Sequence, residues 1–195
     1  MFFLGEVYSY MEKKSFFGKL DVKTIVATAL GAALFLVLFY FVKIPSPAPN
    51  TNIQIAYGIT TFFGALFGPI SALLVGFAGH ALNDFLAGFG VWWSWVIASA
   101  VAGFFAGCAY KYCDLEHGKR PGKMFFIFNI VGQFLAWVVI APVLDIVMYA
   151  EPMETVFVQG LVSFVIDTLS ALVVGYILCV AYAATRSSSS SLDKE

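Results

Sequence analysis

The sequence predicts an all-α integral membrane protein of six transmembrane helices with both termini cytoplasmic, and three observations predict it. The 195 residues are 61% hydrophobic and only 12% charged, with 21 Phe and a mean hydropathy of +0.87, whereas soluble domains carry about 25% charged residues. The apolar residues fall into six runs, at 24–43, 53–67, 69–87, 92–111, 124–149 and 156–183. A helix needs about 20 such residues to cross the hydrocarbon, and the runs lack the alternation that a membrane barrel requires. Finally, Lys13, Lys14, Lys19, Lys23, Lys111, Lys119, Arg120, Lys123, Arg186 and Lys194 fall on one side of a six-span chain, against Lys43 alone on the other. Basic residues accumulate on the cytoplasmic side. The chain thus divides into a cytoplasmic N-terminal segment (1–23), a six-helix membrane domain (24–184) and a polar cytoplasmic tail (185–195) ending in "SSSSSLDKE", expected to be unstructured. The first ten residues have no basic region of a cleavable signal, and "MEKKSFFGKL" from Met11 reads as a more natural start.

Helix 1 carries two overlapping small-xxx-small pairs, Ala27 with Gly31 and Ala29 with Ala33. Such faces let another helix approach closely, and two on one helix suit a partner protein as well as internal packing. The connection that follows has Pro45, Pro47 and Pro49 at every second position, then Asn50, Asn52 and Gln54. Prolines so spaced hold the chain extended and stiff. The segment reads either as a rigid spacer or as a lid that loses little entropy on closing. Helix 2 is short, and "FGP" at Phe67–Pro69 turns the chain tightly into helix 3.

Helix 3 holds "GHALNDF", in which His80, Asn83 and Asp84 share one face by their i, i+3, i+4 spacing. Ionisable residues inside a span are costly and point to function. Helix 4 begins with Trp92, Trp93 and Trp95, either an interfacial aromatic belt or a stacking wall for a planar ligand. Adjacent tryptophans must point in different directions, so both readings can hold. The run "ASAVAGFFAG" later in helix 4 suits internal packing. In helix 5, Pro142 frees the carbonyl of Val138 and bends the helix, three residues before Asp145. Helix 6 carries Gln159, Ser163 and Asp167 at successive i+4 positions. Polar side chains therefore converge on an outward-facing pocket, whose candidate substrate-binding residues are Asn50, Asn52, Gln54, His80, Asn83, Asp84, Trp92, Trp95, Asp145 and Gln159.

Other chemistries fit poorly. "GKRPGK" at Gly118–Lys123 is one residue short of a phosphate-binding loop, and Met follows the lysine. Cys108 and Cys113, spaced C-x-x-x-x-C, have His117 nearby but no second Cys/His pair to complete a zinc site. With Cys179 they read as reduced apolar packers. His80 and Asp84 offer two metal ligands at i, i+4, but His117 lies on the other side. No metal and no cofactor is expected, and no G-x-S-x-G or H-E-x-x-H occurs.

Six helices in under 200 residues, the Ala29/Ala33 face and the polar loop after it resemble the substrate-specificity (S) components of energy-coupling factor (ECF) transporters. The blocks "IPSPAPNTNIQ", "FGPI", "GFAGHALND", "WWSWVIAS" and "APVLDI", in a match over about residues 11–186, are similar to those of one branch of uncharacterised membrane proteins within that group. The resemblance implies a high-affinity binder of a vitamin or related micronutrient that docks on a transmembrane scaffold subunit and two ATP-binding subunits. The chain itself would not be an enzyme, with ATP hydrolysed by its partners, and it would sit in a prokaryotic cell membrane. The resemblance further implies that Ala29 and Ala33 contact the scaffold and that Pro45–Asn52 gates the pocket. Cobalamin-related compounds and thiamine precursors are both open as ligands. The alternative is a small proton-coupled secondary transporter working through Asp84, Asp145 and Asp167, although no inverted repeat is visible. A pocket with up to three carboxylates and no buried cation disfavours a strongly anionic ligand.

Overall fold

The structure is a computed structural model that describes residues 15–18, 20–88 and 90–192. The proposed extension at residues 1–10, and Lys13, Lys14, Lys19 and Lys194 of the charge count, lie outside the described residues.

Helix α1 (Val22–Phe41) starts where the Asp21 carboxylate accepts a hydrogen bond from Thr24 N at 2.8 Å, satisfying one of the unpaired amides of the first turn. Its inner side buries Gly31, Ala32 and Phe35, while Ile25, Val26, Leu30, Leu34 and Val37 are exposed. That pattern is the lipid-facing one. It also divides the small residues of this helix. A Cβ on Gly31 would lie 2.8 Å from the Val75 side chain, and Ala27 packs on the core. Both face the neighbouring helices, so they are not on the open face expected for a partner, whereas Ala29 and Ala33 are exposed on it.

The chain then forms an antiparallel hairpin, β1 (Lys43–Pro45) with β2 (Asn52–Gln54), in which Ile44 faces Ile53. The run expected to begin the second span at residue 53 therefore begins in a strand. The alternate prolines hold this backbone extended, and Asn50 at φ 50° supplies the left-handed position at the turn. Helix α2 (Tyr57–Phe67) has 11 residues, about 16 Å of helix against the ~30 Å hydrocarbon thickness. It is buried over most of its length, so its ends are enclosed by protein and need not reach the surface of a bilayer.

A turn at Gly68 leads to α3 (Pro69–Ala87), with proline in its first turn. Helix α4 (Trp93–Cys108) follows, then 3₁₀ turns at Ala109–Tyr112 and Leu115–His117. Helix α5 is α-helical over Lys123–Phe134, passes through a π segment at Leu135–Ile140 and resumes over Ala141–Tyr149. The bend expected from Pro142 thus takes the form of a widened turn just before it. Helix α6 runs through Met153–Leu169, a second π segment at Ser170–Val174, and Gly175–Leu192; it continues through the serines instead of leaving the helix. Gly160 of α6 lets the two last helices touch, since a Cβ there would lie 2.1 Å from the Trp137 carbonyl oxygen in the π segment of α5. Among the described residues, five of the six helices are long and apolar enough to cross a membrane.

Two cores result. One gathers Phe35, Tyr57, Phe63, Val75 and Trp137. The other, towards the opposite helix ends, gathers Ala109, Cys113, Leu115, Phe125, Cys179 and Ala183. All three cysteines are buried free thiols, and no group of three His, Cys, Asp or Glu among the described residues is placed to hold a metal.

Candidate functional site

Where α1 ends and α2, α4 and α6 begin, the bundle encloses a cavity of about 850 Å³. Ligand pockets fall in the range of about 300–1,000 Å³. All ten candidate binding residues line it: Asn50, Asn52 and Gln54 from the hairpin, His80, Asn83 and Asp84 from α3, Trp92 just before α4 and Trp95 within it, Asp145 from α5, and Gln159 from α6. Their hydrogen bonds show how differently they are committed.

Asp145 accepts three hydrogen bonds. Trp92 Nε1 donates to Oδ1 at 2.7 Å, Trp95 Nε1 to Oδ2 at 2.6 Å, and Ser94 Oγ is bonded to Oδ1 as well. One carboxylate therefore fixes both indoles, which line the cavity beside it. Trp95 lies 5.3 Å from Trp137 at 30°, and Trp92 lies 4.4 Å from Tyr149 at 35°, tilted pairs within the favourable range for aromatics. Trp93 turns outward, 44% exposed, against Phe77. Of the three tryptophans two form a wall and one faces out, as their spacing requires.

Asp84 is a brace too. Its Oδ2 accepts from the Trp92 backbone amide at 3.0 Å, holding the start of α4, while Oδ1 takes Asn83 Nδ2 at 3.2 Å and lies 3.5 Å from His80 Nε2. His80 Nδ1 is 2.5 Å from Ser99 Oγ, which is also 2.5 Å from Tyr57 OH. Phe39 packs edge-on against the imidazole at 4.8 Å. The face of α3 is thus one end of a relay linking α2, α3 and α4, and such a network rigidifies what it connects.

The hairpin is tied down twice. Gln159 Nε2 donates to the Pro49 carbonyl at 2.9 Å, and Gln54 Nε2 donates to Asp167 Oδ1 at 2.6 Å while its Oε1 accepts from Ala56 N at 2.7 Å. Ala48 and Thr51 at the hairpin tip are buried. Sequence spacing identified the polar stripe of α6, yet Ser163 and Asp167 were not placed in the candidate set; both line the cavity. Tyr57 and Trp137 were missed because each sits in an apolar run where an aromatic reads as core. Lys43 was missed as a cavity residue; it lies on the rim over the Tyr40 ring at 5.2 Å.

A family model described as "ECF-type riboflavin transporter, S component" matches residues 19–184. A UPF0397 protein of Lactobacillus acidophilus is 43% identical over 179 residues, 90% of this chain and 97% of that protein. Another, of Lactococcus lactis subsp. cremoris, is 47% identical over 180 residues, 90% of this chain and 98% of its own length. In structure, the chain is similar to FolT crystallised with folic acid, with a TM-score of 0.58 at 16% identity, covering 82% of this chain and 98% of that one; this likeness is one of fold.

Proposed function

The chain belongs to the family of ECF-type riboflavin transporter S components, and on that premise we propose that it captures a vitamin-like micronutrient from outside the cell and delivers it for ATP-driven uptake by partner subunits. Those partners are a transmembrane scaffold subunit and two ATP-binding subunits, in a prokaryotic plasma membrane. The observation that carries the reading is the cavity of about 850 Å³ walled by two oriented tryptophans and covered by a hairpin tied to α6. The orientation follows from charge: Lys23, Lys111, Lys119, Arg120, Lys123 and Arg186 belong to the end away from the cavity and Lys43 to its rim, so the cavity opens outward and both termini are cytoplasmic. The family description names riboflavin, a planar heterocycle of the kind a tryptophan wall accepts. A proton-coupled transporter working through Asp84, Asp145 and Asp167 has less support at two of its three acids, because both oxygens of Asp84 and of Asp145 are held by donors of the chain itself, while Asp167 has one oxygen bonded, by Gln54.

The scaffold contact is assigned to the exposed Ala29 and Ala33 of α1. The test is uptake in proteoliposomes. With partner subunits and ATP, uptake is expected to proceed and to resist a protonophore; Ala29→Leu or Ala33→Leu should weaken assembly and leave ligand binding to the isolated chain nearly intact. Concentrative uptake by the chain alone from a proton gradient would sink this reading.

A further inference from the structure

The cavity is polarised from floor to rim. The indole N–H groups of Trp92 and Trp95 are spent on Asp145, Gln54 Nε2 on Asp167, and Gln159 Nε2 on the Pro49 carbonyl. Two buried acceptors are left over. Asp167, two helical turns below Gln159 on α6 and 4% exposed, has only Oδ1 engaged; among the described residues no donor reaches Oδ2 and no lysine or arginine pairs with it. Asn83, 6% exposed, lines the same cavity, and its Oδ1 has no partner at all. The amide orientation is set chemically: turning it over would bring Oδ1 against the Asp84 carboxylate that now receives Nδ2. Lys43 is the one lysine or arginine among the described lining residues, and it sits at the rim.

A buried carboxylate without a counter-ion and a buried acceptor without a donor are both unfavourable until something supplies the missing groups. The geometry points to a subsite at the cavity floor in which Asp167 receives the N–H-bearing edge of a planar ligand, neutral or cationic, and rejects a carboxylate or phosphate. An anionic substituent on the same ligand is directed to the rim and Lys43. This inference rests on the cavity being the ligand site, and it adds which chemical edge of the ligand goes in first.

The test uses three probes of one shape and different charge: benzamidine, benzamide and benzoate. Each is titrated by ligand-observed NMR into the purified full chain in lipid nanodiscs at neutral pH. Benzamidine should bind most tightly and benzoate least, with a gap of about tenfold or more, the scale of a hydrogen bond to a charged group. Asp167→Asn, which keeps an acceptor for Gln54, should erase most of the preference for benzamidine over benzamide. Benzoate binding as tightly as benzamidine, a preference that survives Asp167→Asn, or no binding of any probe up to tens of millimolar would each overturn the subsite. Uptake driven by a proton gradient would overturn the S-component reading and leave this ranking untouched, so the two failures are separable.

Discussion

At the cavity end the bundle holds His80, Asn83, Asp84, Asp145, Gln159 and Asp167, all buried and all tied to other elements or to each other through hydrogen bonds. At the opposite end Phe125, Leu115, Cys113 and Cys179 meet with a relative exposure of at most 2% and fill their space with carbon and sulfur. The difference follows from what each end must do. A core that is filled is held by close packing. An end that keeps a cavity open gives up that packing and needs directional bonds to keep its walls apart and in place. The carboxylates of Asp84 and Asp145 therefore serve as braces, although each lies in a wall of the cavity.

Substitutions at the two ends should separate these modes of support. Phe125→Ala should cost about 3–5 kcal/mol, the usual loss for a buried phenylalanine, read as thermal unfolding of the purified chain, with ligand affinity per folded molecule unchanged. Asp145→Ala should cost about 2–4 kcal/mol, because it strands three donors in the interior, and it should also abolish ligand binding by freeing both indoles. Asp145→Asn should fall between, since an amide oxygen can accept from only part of the set. An Asp145→Ala protein of ordinary stability and affinity would show that packing alone holds the cavity end as well.

A smaller effect is expected at the lid. Gln159→Ala removes one hydrogen bond, worth about 1 kcal/mol, and leaves the wall intact. Amide exchange at Ser46 and Thr51, whose backbone bonds close the hairpin tip at 3.0 and 3.4 Å, should speed up about fivefold on that basis. Unchanged exchange would mean that the buried Ala48 and Thr51, rather than the glutamine, hold the hairpin down.

The sequence made the two ends unequally legible. Helix periodicity placed His80, Asn83 and Asp84 on one face, and the i+4 stripe of α6 followed from the same geometry. It could not show that Asp145 would be consumed by two tryptophans about fifty positions earlier in the chain, since no local spacing encodes a contact between α4 and α5. For the same reason Tyr57 and Ser99, which relay His80, read as an ordinary aromatic and an ordinary small residue. Hydropathy located the long spans within a few residues, but it treated Ile53 and Ile55 as the start of a helix. A strand two residues away from a helix has the same apolar content, and only pairing with Lys43–Pro45 distinguishes it. The divided face of α1 was legible as small residues, while which pair turned inward depended on Val75 and Phe63 of other helices.

The smallest effect belongs to the loop beyond the packed end, and it is a dependence on pH. Burial alone would raise the Asp114 carboxyl, but hydrogen bonds from Lys119 Nζ at 2.9 Å and His117 Nδ1 at 2.6 Å, with their charges, outweigh it and hold its pKa below the ordinary value of 3.8. A carboxyl lowered on folding stabilises the folded state above its unfolded pKa, and that contribution disappears as the pH falls through the lower folded value. The loop should therefore lose support only below about pH 4. The amount is no more than about 1 kcal/mol, because Lys119 and His117 are 40% and 60% exposed and solvent screens the pair. Asp114→Asn should flatten the fall of the unfolding temperature between about pH 5 and 3 without changing the cavity end or its ligand affinity, and high salt should shrink the difference between the two proteins. Identical acid profiles for wild type and Asp114→Asn would mean that the packed end is held by Phe125 and its neighbours alone, with nothing contributed by the charged loop beside it.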